Sequence, residues 1–314
     1  MSGYHHLLAR EFGVPSLIKE KGYFVTTDGT RQIRKTKDSP VTITARYQLT
    51  LHCMKNYPWM EKYYLAKNGQ PYALTEGDYY IMTDHLPYPE ADFSNPSQLA
   101  ASAESLALWH KSARDISFSD GAFLPHELFP LTDILQNNIT SLGIIRKRIR
   151  RQSQLSDFDV LFIKNFDKYK DRIVNALELL KGTNYLKRFE NARNMNYICH
   201  GSPKENCIRI KDGKAYITKL DNGKINYQLN DLCIFIRRAK KAHDNAQNTG
   251  QLKQYEIIEA YNKVLPLEPD EEIILQAMLL YPSAFVKIVF EYYQKKRTWI
   301  PVSMLNKMRE VLST

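Results

Sequence analysis

The sequence predicts an α+β fold with a small β-rich N-terminal lobe and a larger helical C-terminal lobe. Short runs of β-forming residues, separated by turn signals, dominate the N-terminal part of the chain. A proline-rich segment at residues 85–96 follows, and long helical patterns fill most of the remainder. We therefore place the two lobes at residues 1–88 and 89–314.

The N-terminal lobe is predicted to begin with a short helix over residues 4–12. The turn signal Asp28-Gly29 between two β-rich runs predicts a hairpin. Pro40 precedes apolar residues at helical spacing over residues 41–56. Three further strands are predicted at residues 62–66, 72–75 and 79–82.

The C-terminal lobe is predicted to be helical apart from one short hairpin. This hairpin joins residues 207–210 to residues 215–218 through the turn signal Asp212-Gly213. The helical patterns cover residues 96–113, 132–151 and 156–181, and helices resume at Asp231 and continue to the end.

The composition indicates a folded chain with a basic surface. Apolar residues make up 43% and charged residues 25%, which excludes a disordered tail or a collagen-like fibre. Lys and Arg number 44 against 34 Asp and Glu, giving a net charge of +10. This surplus favours anionic partners without choosing among nucleic acid, phosphates, lipids and acidic proteins.

The cysteines and the apolar runs suggest a reduced, cytosolic folding environment. None of the four cysteines forms a C-x-x-C pair, so neither a zinc site nor a disulfide framework is expected. Packed thiols are the simpler interpretation, including for Cys199 and Cys207. No apolar run approaches the ~20 residues of a membrane-spanning helix, and the N-terminus lacks the pattern of a secretory signal. We expect synthesis in the cytoplasm and no transmembrane segment.

Three segments of the C-terminal lobe carry motifs in a familiar order. Residues 198–206 read ICHGSPKEN, residues 216–221 read YITKLD, and residues 230–238 read NDLCIFIRR. The first two resemble the H-x-D-x-x-x-x-N loop and the I-D-F-D segment of the aminoglycoside phosphotransferase and choline kinase superfamily. The third resembles the D-L-x-x-F-I-R-R helix of CotS-type bacterial spore coat proteins.

Two further segments favour the spore coat branch of this superfamily. Residues 106–110 read LALWH and resemble its L-A-x-x-H helix. Residues 280–285 read LYPSAF, and with Tyr292, Tyr293 and Trp299 they resemble its C-terminal Y-P-x-x-F and Y-Y pattern. The resemblance covers nearly the whole chain in order. It implies a protein kinase-like fold, in which two lobes clamp a nucleotide.

Two positions depart from the chemistry of this superfamily. Phosphoryl transfer needs a carboxylate to accept or orient the hydroxyl proton, and Ser202 stands at that position. Lys219 stands where the superfamily has its metal-binding Asp, and its ammonium would repel Mg²⁺. The loop from His200 to Asn206 is also one residue shorter. We therefore expect neither a catalytic residue nor a bound metal.

Two polar residues leave a weak cation site open. Asp221 occupies the second acidic position of the I-D-F-D-like segment, where it either binds a cation weakly or caps a backbone turn. We favour the cap. Asn206 has the type of a metal ligand but lacks its principal co-ligand at position 219. If a nucleotide still binds, the resemblance places Asn206 and Asp221 beside it.

The small lobe lacks most of the phosphate-binding groups that the resemblance implies. The phosphate-pairing lysine belongs on the strand after the first hairpin, where Arg34 or Lys35 is the candidate. Its partner glutamate belongs on the following helix, yet residues 41–55 contain no acid. That ion pair is therefore absent unless a residue outside the helix replaces it. Residues 20–25 contain one glycine and two bulky aromatic residues, which disfavours a phosphate-binding loop.

Other polar features have structural interpretations. His200 and Asp231 lie beside the loop motif, and the resemblance implies that both support the loop backbone. The run at residues 146–151 has five basic residues out of six, which is typical of the solvated face of a helix. No nucleic-acid-binding motif accompanies this run, so no specific nucleic acid is expected.

These observations support three hypotheses about function. The first is a catalytically inactive kinase-like protein of the spore coat, a pseudokinase with a scaffolding role, other coat proteins as partners and no cofactor. The second is an active small-molecule or sugar phosphotransferase that uses ATP and Mg²⁺ through Asn206 and Asp221. The third is an anion-binding module whose basic runs would give a strong salt dependence. We favour the first.

Overall fold

The computed structural model describes residues 2–14, 19–20, 23–246, 254–294 and 301–313. It confirms the predicted α+β class, with a small antiparallel sheet in the N-terminal region and a predominantly helical remainder. Lys21, Gly22 and Trp299, on which part of the sequence interpretation rests, lie outside the described residues.

The described residues contain eleven α-helices and ten β-strands, most of the strands short. The helices are α1 (Ser2–Glu11), α2 (Pro40–Cys53), α3 (Pro96–Ser112), α4 (Leu131–Ile149), α5 (Asp157–Lys181), α6 (Tyr185–Asn194), α7 (Leu229–Asn245), α8 (Gln254–Asn262), α9 (Pro269–Leu280), α10 (Ser283–Gln294) and α11 (Pro301–Ser313). The strands are β1 (Lys19–Glu20), β2 (Tyr23–Thr26), β3 (Gly29–Thr36), β4 (Tyr63–Tyr64), β5 (Ala73–Thr75), β6 (Asp78–Asp84), β7 (Ile198–Cys199), β8 (Ile208–Lys211), β9 (Lys214–Ile217) and β10 (Lys224–Ile225). The predicted elements lie within a few residues of these bounds, whereas α6 and the two-residue strands β1, β7 and β10 were not predicted.

The N-terminal sheet is antiparallel and has the strand order β1-β2-β3-β6-β4, with β5 also paired to β6. The predicted Asp28-Gly29 turn joins β2 to β3. Along β3, Ile33 lies opposite Met82 and Arg34 lies opposite Ile81 of β6. Successive side chains of a strand alternate between faces, so buried Ile33 enters the core while Arg34 points away from it.

A compact core joins α1 to this sheet. Phe24 of β2 belongs to it with 4% of its surface exposed, and Tyr23 stacks on His85 with ring centroids 4.3 Å apart. The bulk of Phe24 therefore faces inward, contrary to the expectation that it would obstruct a phosphate-binding loop. The buried members of the core are Leu8, Ala9, Phe12, Phe24, Ile33, Ala66, Ala73 and Met82.

Helix α2 begins where the sequence predicts. The Ser39 hydroxyl accepts the backbone N–H of Thr42 at 3.4 Å, and Pro40 occupies the first turn, where a missing N–H costs nothing. The helix buries Ile43 and Leu49, and it also buries the guanidinium of Arg46, which is 2% exposed. A buried charge needs nearby partners, and Arg46 has them in Asp38 and in the backbone of residues 220–223.

The end of strand β9 is tied to the segment before β4. The Ile217 N–H donates to the carbonyl oxygen of Trp59 at 3.0 Å, and the Glu61 N–H donates to the carbonyl oxygen of Ile217 at 2.9 Å. Strand β9 pairs with β8 to form the predicted hairpin, and β7 pairs with β10. These contacts bring Glu61 beside the residues that follow β9.

The chain divides into two compact units. One comprises Met1–Glu127 and Phe189–Leu267, and the other comprises Leu128–Arg188 and Glu268–Thr314. The first holds all the strands together with α1, α2, α3, α7 and α8. This division differs from the predicted lobes, whose boundary at residue 88 stays a prediction.

The second unit is helical, and α5 packs against α4, α9 and α11 within it. Phe285 of α10 is fully buried and stacks on Tyr169 of α5 with ring centroids 3.9 Å apart. In the basic run, Arg146 pairs with Asp167 at 2.8 Å and lies over the ring of Phe166. The neighbouring basic side chains of the run are mostly exposed, as a solvated helix face requires.

One stretch of the described residues, Pro269–Gln294, is long and apolar enough to cross a membrane by length and composition. The sequence interpretation had identified no such run. The stretch consists of α9 and α10, which are separated at Tyr281 and Pro282, and half of its most apolar window is buried. Core helices of folded proteins pass the same test, so the stretch is weak evidence for a membrane segment.

Candidate functional site

The loop that follows β7 is held by one buried carboxylate. Asp231, in the first turn of α7, is fully buried. Its carboxylate accepts the backbone N–H of His200 at 2.5 Å and that of Gly201 at 2.9 Å. Two consecutive loop amides are thus fixed by one side chain, which is the geometry that the loop-support interpretation of Asp231 implies.

Gly201 is the tightest point of this loop. Its φ of +79° lies in the left-handed region, and a Cβ placed there would lie 2.1 Å from the carbonyl oxygen of Asn222. A side chain at position 201 would therefore collide with backbone rather than with a mobile side chain. Residues 200–202 and the segment around Asn222 are consequently in direct contact through their main chains.

His110 of α3 extends the network around Asp231. Its Nε2 lies 3.0 Å from Asp231 Oδ2, and its Nδ1 lies 2.8 Å from the hydroxyl oxygen of Tyr261. A neutral ring satisfies both contacts, because Nε2–H donates to the carboxylate and Nδ1 accepts from the hydroxyl. Burial lowers the pKa of His110, and the adjacent Asp231 opposes that shift only in part.

His200 is held in the same neutral form. Its Nε2 lies 2.8 Å from the carbonyl oxygen of Thr218, and its Nδ1 accepts the backbone N–H of Ser202 at 3.3 Å. Burial also lowers the pKa of His200. Both ring nitrogens serve backbone groups, so His200 is placed to brace the loop rather than to move protons.

The other polar side chains of the loop do not converge on a cation. Asn206 Oδ1 lies 3.3 Å from Cys207 Sγ, and Glu205 accepts from the guanidinium of Arg238 at 2.9 and 3.1 Å. Ser202 stands at the position of the expected base and offers a hydroxyl instead of a carboxylate. Cys207, like every cysteine of the chain, is a free and buried thiol.

Lys219 stands at a turn just beyond β9. Its φ of 60° and ψ of 58° place it in the left-handed region, and its backbone N–H donates to Glu61 Oε2 at 2.5 Å. Within the described parts of the chain, its ammonium makes no ion pair or hydrogen bond. The position assigned to a metal-binding Asp therefore holds a cation.

Arg34 and Asp221 form the central ion pair of the site. Arg34 Nη1 lies 2.6 Å from Asp221 Oδ1, and Arg34 Nη2 lies 3.9 Å from Glu61 Oε1. Burial raises the pKa of Glu61, while the charge of Arg34 and hydrogen bonds from Thr83 and the Lys219 backbone oppose that shift. Arg34 thus lies between two carboxylates that reach it from different segments of the chain.

Arg46 of α2 grips the backbone on the other side of Asp221. Its Nη1 donates to the carbonyl oxygens of Leu220 at 2.6 Å and Gly223 at 3.1 Å, and its Nη2 donates to that of Asp221 at 2.6 Å. Its Nε donates to Asp38 Oδ2 at 2.6 Å. A planar guanidinium can satisfy this many acceptors in one plane, which an ammonium cannot.

Several predicted site residues are placed differently from their expected positions. Lys35 lies away from the cluster and pairs with Asp78 at 2.6 Å on an exposed part of the sheet, so Arg34 alone occupies the site. The carboxylate of Asp221 is engaged by Arg34 and not by the backbone N–H that the favoured cap would require. The replacement acid that the sequence left open lies outside α2 and is Glu61.

Sequence reasoning missed Glu61 and Arg46. Glu61 is the first acidic residue after Pro40, and Arg46 is the single Asp, Glu, Lys or Arg residue of α2. The sequence offered one signal for each residue. Arg46 is a lone charge in an otherwise uncharged helix, and Glu61 is the first acid after a long run without acids. Their backbone partners around residues 219–223 are 158 to 177 residues away in sequence, so no local pattern reveals these contacts.

The residues present do not fit the divalent metal that the superfamily implies. No group of three or more His, Cys, Asp or Glu side chains among the described residues could hold a metal ion. Asp221 is bound by Arg34, Asn206 contacts Cys207, and Lys219 adds a positive charge. Mg²⁺ requires several hard oxygen ligands, and these residues do not supply such a set.

Comparison with known proteins now assigns the family. A family model described as "Spore coat putative kinase YutH" matches residues 32–314. The chain belongs to this family. The predicted resemblance to bacterial spore coat proteins is therefore confirmed. A comparison with curated proteins finds no match.

Solved structures support the kinase-like fold of this spore coat family member. An aminoglycoside phosphotransferase from Alicyclobacillus acidocaldarius has a TM-score of 0.82 at 15% identity, covering 98% of this chain and 91% of its own. An AMP-bound spectinomycin phosphotransferase, APH(9)-Ia, has a TM-score of 0.63 at 13% identity, covering 98% and 94%. The amicoumacin kinase hAmiN has a TM-score of 0.58 at 11% identity, covering 100% and 94%. At these identities the similarity shows the fold alone.

We expect Gly201→Ala to destabilise the protein by about 3 kcal/mol or more, because the new Cβ meets a carbonyl oxygen and the residue has a positive φ. Urea unfolding monitored by circular dichroism measures the change. Gly213→Ala is the matched control, since Gly213 has a similar φ of +75° but open space around its Cβ. Equal losses in the two variants would contradict the collision with Asn222.

We expect Arg46→Met to cost about 3–5 kcal/mol, because it leaves three buried carbonyl groups and Asp38 without their partner. Arg46→Lys should lose an intermediate amount, since an ammonium keeps the charge without the planar fork. Arg209→Met, which breaks the half-exposed pair with Glu90, should cost at most about 1 kcal/mol. The prediction that Arg46 stabilises the fold more than Arg209 does is wrong if the two Met variants unfold at the same denaturant concentration.

We expect the free energy of unfolding to fall as the pH falls below about 6.5, the ordinary pKa of histidine. Since burial lowers the pKa of His110 and His200, the unfolded chain binds protons there that the folded chain excludes. Each histidine contributes a slope of up to about 1.4 kcal/mol per pH unit. Urea titrations between pH 5 and 8 should show a smaller slope for His110→Asn, and an unchanged slope would contradict this assignment.

Proposed function

We propose that this chain is a catalytically inactive, kinase-like structural component of the spore coat. The observation that carries the proposal is the ion pair between Arg34 and Asp221 beside Lys219. In an active phosphotransferase of this fold, groups at these positions act on phosphate and metal. Here they bind one another, and the ammonium at 219 disfavours the metal that would bridge them to a nucleotide.

The absence of a base supports the same conclusion. A general base must accept a proton near neutral pH, and the hydroxyl of Ser202 is far too weakly basic for that task. Two buried carboxylates of the site are already engaged. Asp231 binds loop amides, and Glu61 binds the backbone N–H of Lys219. If either carboxylate moved away, it would leave a buried backbone N–H without a hydrogen-bond acceptor, which is unfavourable.

The family assignment supports a place in the spore coat, where other coat proteins would be the partners. A scaffolding role needs a stable fold rather than a reactive centre. The contacts of Arg34, Arg46 and Glu61 all hold the small sheet and α2 to the segment around residue 220, which stabilises this part of the molecule. No cofactor is needed for such a role.

We expect the purified protein to show no ATP turnover above background with Mg²⁺, with or without aminoglycoside, choline or sugar acceptors. Lys219→Asp should gain Mg²⁺-dependent ATP binding, measured by calorimetry, because the new carboxylate adds a hard ligand near Asp221 and Asn206. Lys219→Asn is the control, as it removes the ammonium without adding a carboxylate. Acceptor-dependent turnover by the unaltered protein would overturn the proposal and favour the phosphotransferase alternative.

Coat assembly gives a second readout. In a spore-forming host that lacks its own copy, Ser202→Ala should enter the coat as well as the unaltered protein, because the proposed role in the coat requires no reaction at that hydroxyl. Arg46→Met should enter poorly, since the fold itself is weakened. Loss of assembly in Ser202→Ala, with a normal unfolding midpoint, would speak against a purely structural role.

A further inference from the structure

The acidic side chains around the loop at residues 200–207 are all engaged. Glu205 pairs with Arg238, and Asp221 pairs with Arg34. Asp231 accepts from two backbone amides and from a histidine. No acid of this loop region is therefore left to neutralise a further positive charge.

Two lysines of the same region remain uncompensated. Lys204 and Lys219 are both half-buried, and neither ammonium has an ion pair or hydrogen bond within the described ranges. An ammonium without a carboxylate partner in the protein is balanced only by water and dissolved ions. Such a pair of charges attracts an anion from solution.

Backbone hydrogen bonds bring the two lysines to the same place. The Cys207 N–H donates to the carbonyl oxygen of Lys204 at 2.8 Å, and the Thr218 N–H donates to the carbonyl oxygen of Cys207 at 2.9 Å. Lys219 follows Thr218 directly, so the two lysines flank Cys207 from two sides. Burial raises the pKa of the Cys207 thiol, and the charges of Lys219 and Lys204 both oppose that shift, as their proximity requires.

The hydroxyl of Ser202 adds a donor to this group. Its side chain is half-buried and makes no hydrogen bond within the described parts of the chain. It is separated from Lys204 by the buried Pro203, which limits the freedom of the loop. Three donors and no free carboxylate thus lie along one restrained loop and the turn beside it.

We propose that Ser202, Lys204 and Lys219 form a metal-independent binding site for a phosphate group. The inference rests on the proposed function, because it takes Lys219 as a countercharge in the place of a metal ligand. A phosphate dianion offers acceptor oxygens to all three donors, and its charge balances the two ammonium groups. The ligand class is a phosphate or diphosphate, free or carried by a nucleotide.

Metal dependence separates this site from that of an active phosphotransferase. Mg²⁺ bound to a diphosphate cancels two of the negative charges that the lysines recognise, and the ammonium groups repel the metal ion itself. Binding should therefore be stronger in EDTA than in Mg²⁺. It should also weaken as NaCl is raised, because the attraction is between charges that are partly exposed.

Calorimetry on the full-length protein tests the site with pyrophosphate, ADP and ATP, each in EDTA and in Mg²⁺. We expect binding in EDTA, at least about threefold weaker binding in Mg²⁺, and a loss of about tenfold or more in Lys219→Gln. Lys204→Met should lose about threefold to tenfold. Lys55→Met, a change at an exposed lysine of the segment that follows α2, should bind like the unaltered protein. Unfolding midpoints confirm that each variant is folded.

The outcomes are distinguishable from those of the proposed function. Equal affinity for pyrophosphate and ADP would mean that phosphate alone is recognised, whereas tighter binding of ADP would show that the nucleoside also contributes. No binding in EDTA, stronger binding in Mg²⁺, or unchanged binding in folded Lys219→Gln would overturn the site. Each of these results can occur without ATP turnover, whereas ATP turnover by the unaltered protein would by itself be enough to overturn the proposed function.

Discussion

The buried guanidinium of Arg46 is the constraint on which the rest of the site depends. Its four hydrogen bonds fix the backbone of residues 220–223 against α2 and leave the carboxylate of Asp221 facing Arg34. In the arrangement that the superfamily implies, the corresponding helix supplies an acid. Because α2 supplies a cation instead, the acids that balance Arg34 come from other segments, Asp221 at 2.6 Å and Glu61 at 3.9 Å. The positive charge on α2, in place of a negative one, therefore goes together with acids that reach Arg34 from other segments of the chain.

The same charge distribution decides which ligands suit the centre. A divalent cation needs oxygen ligands that are free to coordinate it, and the carboxylates of Asp221, Glu61 and Asp231 are all committed to nitrogen donors of the protein. Within the described residues, the ammonium groups of Lys204 and Lys219 make no ion pair or hydrogen bond with the protein. A centre whose carboxylates are paired and whose ammonium groups are unpaired favours the binding of anions over that of cations.

Much of the fold could be predicted from the sequence, because its signals are local. The Asp28-Gly29 turn, Pro40 and the helical periodicities each depend on residues close in the chain, and the structure has elements at each place. The charged site could be predicted only in part. The choice between Arg34 and Lys35 depends on strand register, which one residue of slip reverses. Glu61 escaped prediction because its partners are set by tertiary contacts.

The stability cost of a substitution explains which positions of the kinase-like centre match the superfamily pattern and which depart from it. His200 and Asp231 match, and each satisfies buried backbone groups that the fold needs with or without catalysis. Ser202 and Lys219 depart, and both residues are partly exposed rather than buried in the core. A change at the first kind of position leaves a buried polar group unpaired, whereas a change at the second kind alters chemistry and leaves stability nearly intact. A kinase-like centre can therefore lose its reaction while its supporting network stays, and the freed positions can acquire a different preference for ligands.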